Sequence, residues 1–234
     1  MFEVKELNIS LYSLLIQYFI DKEPIQKLPA GSYLFQEKEE VENIYLLLNG
    51  SVSIGRVHVK GKEFILKILS GEELIIEYEL FKKRPTYHFF AKTITNCEML
   101  VIKKSQLEEY ALRDPDVLGA LSNWLSVRYI KSMIKCQDLI MNGKKGGLYS
   151  ILIRLCNSYG LVTEHGILID LPITHQELAN LTFGTREVIQ RMLKELREKD
   201  IITYENQRFT VKNLAYLKHE VDCQHCSKEI CGIN

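Results

Sequence analysis

Apolar positions change period partway along the chain. From about Leu28 to Lys104 they come in short runs, IYLLLNG, SVSIGRV, EFILKIL and EMLVIKK, separated by turn signals. Closely spaced strands of this kind predict a double-sheet roll. Gly31, Gly55, Gly61 and Gly71 punctuate the runs, and Asn49-Gly50 between two of them predicts a hairpin. The period then turns helical. Asp114-Pro115 supplies an N-cap and a first-turn proline. Val117, Leu121, Trp124, Leu125, Ile130, Ile134 and Met141 recur mostly at three- and four-residue steps up to Gly143, which is predicted to end the helix. A helix this long, leaving a β-domain, is predicted to dimerise. The alternative is a helix packed on its own domain.

A second helix, GGLYSILIRLCNSYG, comes next. It is followed by an extended GILIDLPI, two helical stretches, HQELANLT and REVIQRMLKELREKD, and the alternating IITYENQRFTV of a hairpin. Helix, turn, helix and two-stranded wing predict a winged helix-turn-helix. The fold class is therefore α+β. Residues 1–112 form a double-stranded β-helix (jelly-roll) sensor-like domain, and 113–143 a dimerisation helix. Residues 144–220 form the winged helix-turn-helix and 221–234 a cysteine-rich tail.

The N-terminal MFEVKELNISLYSLLIQYFI has an apolar run, but Glu3 and Glu6 spoil a basic leader and no small-residue cleavage site follows. It reads as a short amphipathic helix. No other stretch is long and apolar enough to span a bilayer, so no membrane partner is expected and the protein is placed in the cytoplasm, where thiols stay reduced. Thirty Lys and Arg balance thirty Asp and Glu. Net charge thus gives no hint of nucleic acid, and any such reading rests on local charge.

That local charge lies in ITHQELANLTFGTREVIQRMLKELREK. Thr174 and Glu177 have capping-box spacing and start the first helix. Gly184 lies in the turn and Thr185 caps the second helix. Arg186 and Glu187 then fall in its first turn, with Gln190 and Arg191 one turn on. N-terminal residues of a recognition helix reach base edges in the major groove. Arginine suits guanine O6 and N7, and a carboxylate accepts from cytosine N4. Lys194, Arg197 and Lys199 continue a basic face toward phosphates. Taken alone, the charges favour a solvated helix with a Glu187–Arg191 pair. The capping box, turn glycine and wing together favour DNA. No phosphate-binding glycine loop, nucleophile elbow or catalytic His/carboxylate constellation is present, so an enzyme is not expected.

Half of the six cysteines, Cys223, Cys226 and Cys231, crowd into the last twelve residues with C-x2-C-x4-C spacing. Soft thiolates suit iron–sulfur clusters and zinc alike, and three of them leave one position open. Cys97 and Cys156 sit in apolar surroundings and read as core thiols.

The β-roll, long helix and T-H-Q-E-L-A…G-T-R-E-V-I-Q-R-M-L resemble the Crp/Fnr family of bacterial transcription regulators over nearly the whole chain. The resemblance implies a homodimer on double-stranded DNA, a palindromic operator with TGTGA-like half-sites, and RNA polymerase as a partner. Arg186, Glu187 and Arg191 match the family's base-reading positions, while Gln190 occupies one that varies between branches. Many members bind cyclic AMP in the roll. Here Glu77 fits that pocket's carboxylate, but Pro85 and Thr86 stand where its Arg-Ser pair would be. Arg84, one residue away, would point to the other face, so cyclic nucleotide is not expected and Glu77 is left to cap backbone groups. The tail and residues 143–160 resemble the Bacillus-type Fnr branch. That branch implies a 4Fe–4S cluster on Cys223, Cys226 and Cys231, with Asp138 as fourth ligand, and an oxygen-responsive regulator of anaerobic metabolism. Cys136 ranks second for the fourth position, and His219 or His225 third. Zinc remains the chemical alternative, paired with a small effector in the roll.

Overall fold

The computed structural model describes residues 10–57, 63–182, 184–223, 226–227 and 230–233. The chain divides into two compact units. The first comprises Met1–Lys60 and Ile68–Arg128, the second Gly61–Lys67 and Tyr129–Asn234.

The described chain begins with α1 (Leu11–Phe19) and continues as a roll of eight short strands: β1 (Ile25–Leu28), β2 (Tyr33–Phe35), β3 (Asn43–Asn49), β4 (Ser51–Val57), β5 (Glu63–Ser70), β6 (Glu73–Ile75), β7 (Phe90–Thr93) and β8 (Cys97–Lys103). They form two four-stranded sheets, β1-β8-β3-β6 and β2-β7-β4-β5. The run IYLLL of β3 is almost wholly buried because both faces of its sheet are covered. Tyr45, Leu47 and Met99 join a core with Phe35, Val52 and Ile54 of the opposite sheet. Leu46, Leu100 and Ile102 point the other way, onto Leu15 and Phe19 of α1 and onto the helices after β8. Tyr87 stacks on Phe35 at 3.7 Å between ring centroids.

Asn49-Gly50 does not make the expected hairpin. β3 and β4 belong to different sheets, so this turn carries the chain from one sheet to the other. Gly50 has φ 97°, and a Cβ there would sit 2.5 Å from the Asn96 carbonyl oxygen. The sequence signal for chain reversal was real; which strand pairs with which is set by closure of the roll.

α2 (Lys104–Arg113) precedes the long helical run α3 (Pro115–Tyr159). Asp114 caps α3, its Oδ1 accepting from the Asp116 amide at 3.0 Å. Val117, Ala120 and Leu121 are buried against the roll, with Trp124 packed beside them. The beginning of α3 therefore takes the alternative weighed above and packs on its own unit. Other apolar residues along it stay exposed: Leu118, Leu125, Tyr129, Met133 and Ile140. Gly143, with φ 59° and ψ −161°, breaks the helix into two.

The second unit contains β9 (Gly160–Thr163), β10 (Gly166–Ile169), α4 (His175–Leu181), α5 (Arg186–Glu198), β11 (Ile202–Glu205), β12 (Arg208–Val211) and α6 (Leu214–Glu220). Its four strands form one antiparallel sheet in the order β11-β12-β10-β9. The β11–β12 hairpin is the wing.

Candidate DNA-reading face and cysteine cleft

α4 starts as its sequence predicts. The Thr174 Oγ1 accepts from the Glu177 amide at 3.2 Å, and Glu177 Oε2 accepts from the Thr174 amide at 2.7 Å and hydroxyl at 2.8 Å. The hydroxyl of Thr174 is thus engaged in the cap. The buried Thr182 hydroxyl donates to the Leu178 carbonyl at 3.0 Å and closes the helix. Gly184 is buried in the turn, where a Cβ would lie 3.4 Å from Ile189. Thr185 then caps α5, its side chain accepting from the Val188 amide.

α5 is strongly two-faced. Ile189, Leu193 and Leu196 are buried, while Arg186, Glu187, Gln190, Arg191 and Lys194 are all exposed. These five fall at three- and four-residue steps, on the face away from the core. Two guanidiniums, a carboxylate and an amide at the start of an exposed helix can present bidentate donors and acceptors to base edges. His175 packs on Tyr204, with 4.5 Å between ring centroids. Burial, together with the cations of Arg197 and Arg186, holds its imidazole below its ordinary pKa.

The second site lies at the Gly143 break. Asp138 and Arg154 are sixteen residues apart in sequence, which is about 24 Å along a continuous helix. The chain doubles back at Gly143, and Arg154 Nη2 donates to Asp138 Oδ2 at 2.7 Å. Arg154 is only 3% exposed. Beside this pair opens a cavity of about 240 Å³, lined by Asp138, Arg154, Asp222, Cys223, Cys226 and Cys231 among others. The three tail cysteines and Asp138 thus share one cleft. Cys136 is exposed and does not line it among the described residues. His219 sits in the last turn of α6 and is not in the lining either. His225 lies outside the described residues. No three of the described His, Cys, Asp or Glu side chains are placed so as to hold one metal ion. The donors line a volume and do not meet at a point.

Burial pushes the Cys231 thiol up, opposed by the Arg154 cation and a hydrogen bond from Asn157. Cys156 is buried in α3 and pushed up to about 12, and Cys97 is likewise buried and raised, as inert core thiols should be. Sequence reading overlooked Arg154 and Asp222. The signal for Arg154 was a lone charge inside LYSILIRLC, a stretch too apolar to present it to solvent on every side.

A roll, a long helix and a capped winged helix-turn-helix with an exposed polar recognition face define a DNA-binding transcription regulator. Residues 25–114 match the cyclic nucleotide-binding domain model, and residues 148–220 the Crp-like helix-turn-helix domain model. The chain is 37% identical over 210 residues to the anaerobic regulatory protein of Bacillus subtilis, covering 89% of this chain and 88% of that one. It is 26% identical over 196 residues to the cAMP-activated global transcriptional regulator CRP of Salmonella typhimurium, covering 84% and 93%. The structure of the c-di-GMP responsive global regulator CLP of Xanthomonas campestris superposes with a TM-score of 0.72 at 23% identity, over 85% of this chain and 98% of that one. The chain belongs to the Crp/Fnr family. These relatives are named as regulators, not as enzymes.

Proposed function

We propose that the protein is an oxygen-responsive regulator of anaerobic metabolism that binds TGTGA-like palindromes as a homodimer and holds a 4Fe–4S cluster on Cys223, Cys226, Cys231 and Asp138. The observation that carries this reading is the shared cleft: three tail thiols and a carboxylate from α3 line one cavity. The donor set fits a cluster. Soft thiolates suit its irons, and Asp138 offers the position that three thiols leave open. The 37% identity to a protein named for anaerobic regulation points the same way. When bound, the cluster would supply iron–sulfur bonds that oxygen can break.

The chain's own residues supply the rest. Asp138 belongs to α3, and the thiols follow α6, the helix after the wing. Donors shared between the two would tie the reading helices to α3. The exposed Leu118, Leu125, Tyr129, Met133 and Ile140 give α3 an apolar surface on which a second copy can pack. Two reading heads so fixed would stand at a set half-site spacing. Arg186, Glu187, Gln190 and Arg191 would read bases, and Thr174 and Thr185 would aim them by holding the helix starts. RNA polymerase would be the partner once DNA is bound, and the regulator would act in the cytoplasm.

The roll is not the proposed sensor. Arg84 is exposed and Pro85 buried, so neither offers a buried guanidinium as a charge-assisted partner for a cyclic phosphate.

Protein purified without oxygen is expected to be brown, with about four irons and four sulfides per chain, to bleach in air, and to lose tight operator binding on bleaching. Colourless protein holding zinc would make the tail a structural clip and move the search for a signal to the roll around Glu77.

A further inference from the structure

The tail is gripped before any metal is considered. Three consecutive carbonyls, those of Cys231, Gly232 and Ile233, each accept from a different side chain of α3. Asn157 Nδ2 reaches the first at 2.7 Å, Arg154 Nη1 the second at 3.4 Å and Lys135 Nζ the third at 2.7 Å. The Ile233 amide donates to Ser158 Oγ at 3.0 Å, and its side chain is fully buried. The Cys231 amide donates to the Ser227 carbonyl at 2.8 Å. Cys226, by contrast, is exposed.

Within this grip Arg154 touches both halves of the cleft. One nitrogen of its guanidinium holds Asp138 and the other holds Gly232, next to Cys231. A planar fork with fixed spacing suits this bridging task; a lysine ammonium would make one contact or the other. It is also a buried cation among groups that become anionic as ligands, so it offsets their mutual repulsion. We propose that Arg154 is a positioning residue. It presets Asp138 and Cys231 as a rigid pair of donors, leaving Cys226 as the exposed donor that closes the site last. What those donors hold rests on the cluster reading; the grip itself does not.

The test uses the full chain, stripped of metal, with iodoacetamide and residue-by-residue mass spectrometry. In the native protein Cys226 is expected to react fastest, the half-buried Cys231 more slowly and the core thiol Cys156 slowest. In Arg154→Gln, Cys231 should speed up about tenfold while Cys97 and Cys156 stay protected, because only the local closed state is weakened. Arg154→Lys should recover part of the protection. Should Cys156 also open in Arg154→Gln, Asp138→Asn serves instead: it removes the charge from the same contact on its partly exposed side, and Cys231 should again quicken. In parallel, protein reconstituted with iron and sulfide without oxygen is assayed for cluster content and midpoint potential. Arg154→Gln is expected to load less and to show a more negative potential, since a nearby cation is lost. Selective quickening of Cys231 in a protein that never takes up iron would support the grip and refute the cluster reading. A native protein that loads normally, with Cys231 equally slow in Arg154→Gln and Asp138→Asn, would overturn the positioning role and leave the cluster reading standing.

Discussion

The two functional regions of the second unit are assembled in opposite ways. The reading face comes from one unbroken stretch, residues 174–199, and every device in it is local: two caps, one tight turn and one helix face. The cleft gathers Asp138, Arg154 and three cysteines from three separate stretches, brought together by a break at Gly143 and by side chains gripping a tail backbone. Local rules can be read along a sequence. Convergence needs the fold. The difference also separates how each region should fail: the face by losing one contact at a time, the cleft as a unit.

Removing Arg154 is the sharpest way to test that contrast. Arg154→Ala strands Asp138 beside a buried segment, and breaking such a pair is expected to cost about 3 kcal/mol. Asp138 keeps about a quarter of its side chain exposed, so the lower end of the usual range applies. Chemical denaturation of the metal-free protein measures it. An unchanged midpoint would mean that the cleft is no cooperative unit.

On the reading face the expected effect is smaller and purely local. Arg186→Ala should weaken operator binding by about 2 kcal/mol and relax specificity at one base pair per half-site, with unfolding unchanged. Titrating binding against operators altered base by base checks this. If affinity falls equally for every sequence, Arg186 contacts phosphate and not a base.

The smallest effect concerns His175. Its imidazole is held below its ordinary value by burial and by Arg197 and Arg186. The unfolded chain therefore takes up a proton before the folded one does as pH falls. Stability is full above pH of about 6.5 and declines below it until the folded value is passed. His175→Gln should flatten the thermal-stability profile over that window and leave it unchanged at neutral pH. An identical slope in native and variant protein would assign the decline to other groups.

These contrasts explain what was legible in the sequence. The capping box at Thr174 and Glu177, the N-cap at Thr185, the wing and the break at Gly143 all follow from residue types acting on near neighbours. Strand existence was likewise visible, but the pairing at Asn49-Gly50 was not, because sheet membership depends on closure of the whole roll. α2 and α6 escaped notice: α2 is polar with few core residues, and α6 spans only seven. The thiols were visible as a motif, whereas Arg154 gained its meaning only once Asp138 and Gly232 lay on either side of it. Val117 and Leu121, read as a partner-facing stripe, are buried against the roll, because periodicity identifies an apolar face without saying what covers it.

Gly143 carries one more consequence, and it is a matter of handedness. Its φ of 59° and ψ of −161° are the mirror image of the extended polyproline conformation that any L-residue adopts with ease. A Cβ placed there would meet nothing within 4 Å. The obstacle to a side chain is therefore chirality and not space. Alanine of the natural hand would push the backbone toward one continuous rod and carry Asp138 away from Arg154. Its enantiomer, installed by chemical ligation, would suit these dihedral angles and is expected to raise stability by about 0.4–1 kcal/mol by narrowing the unfolded ensemble. The acid and the base meet because one position in the chain has no handedness to defend.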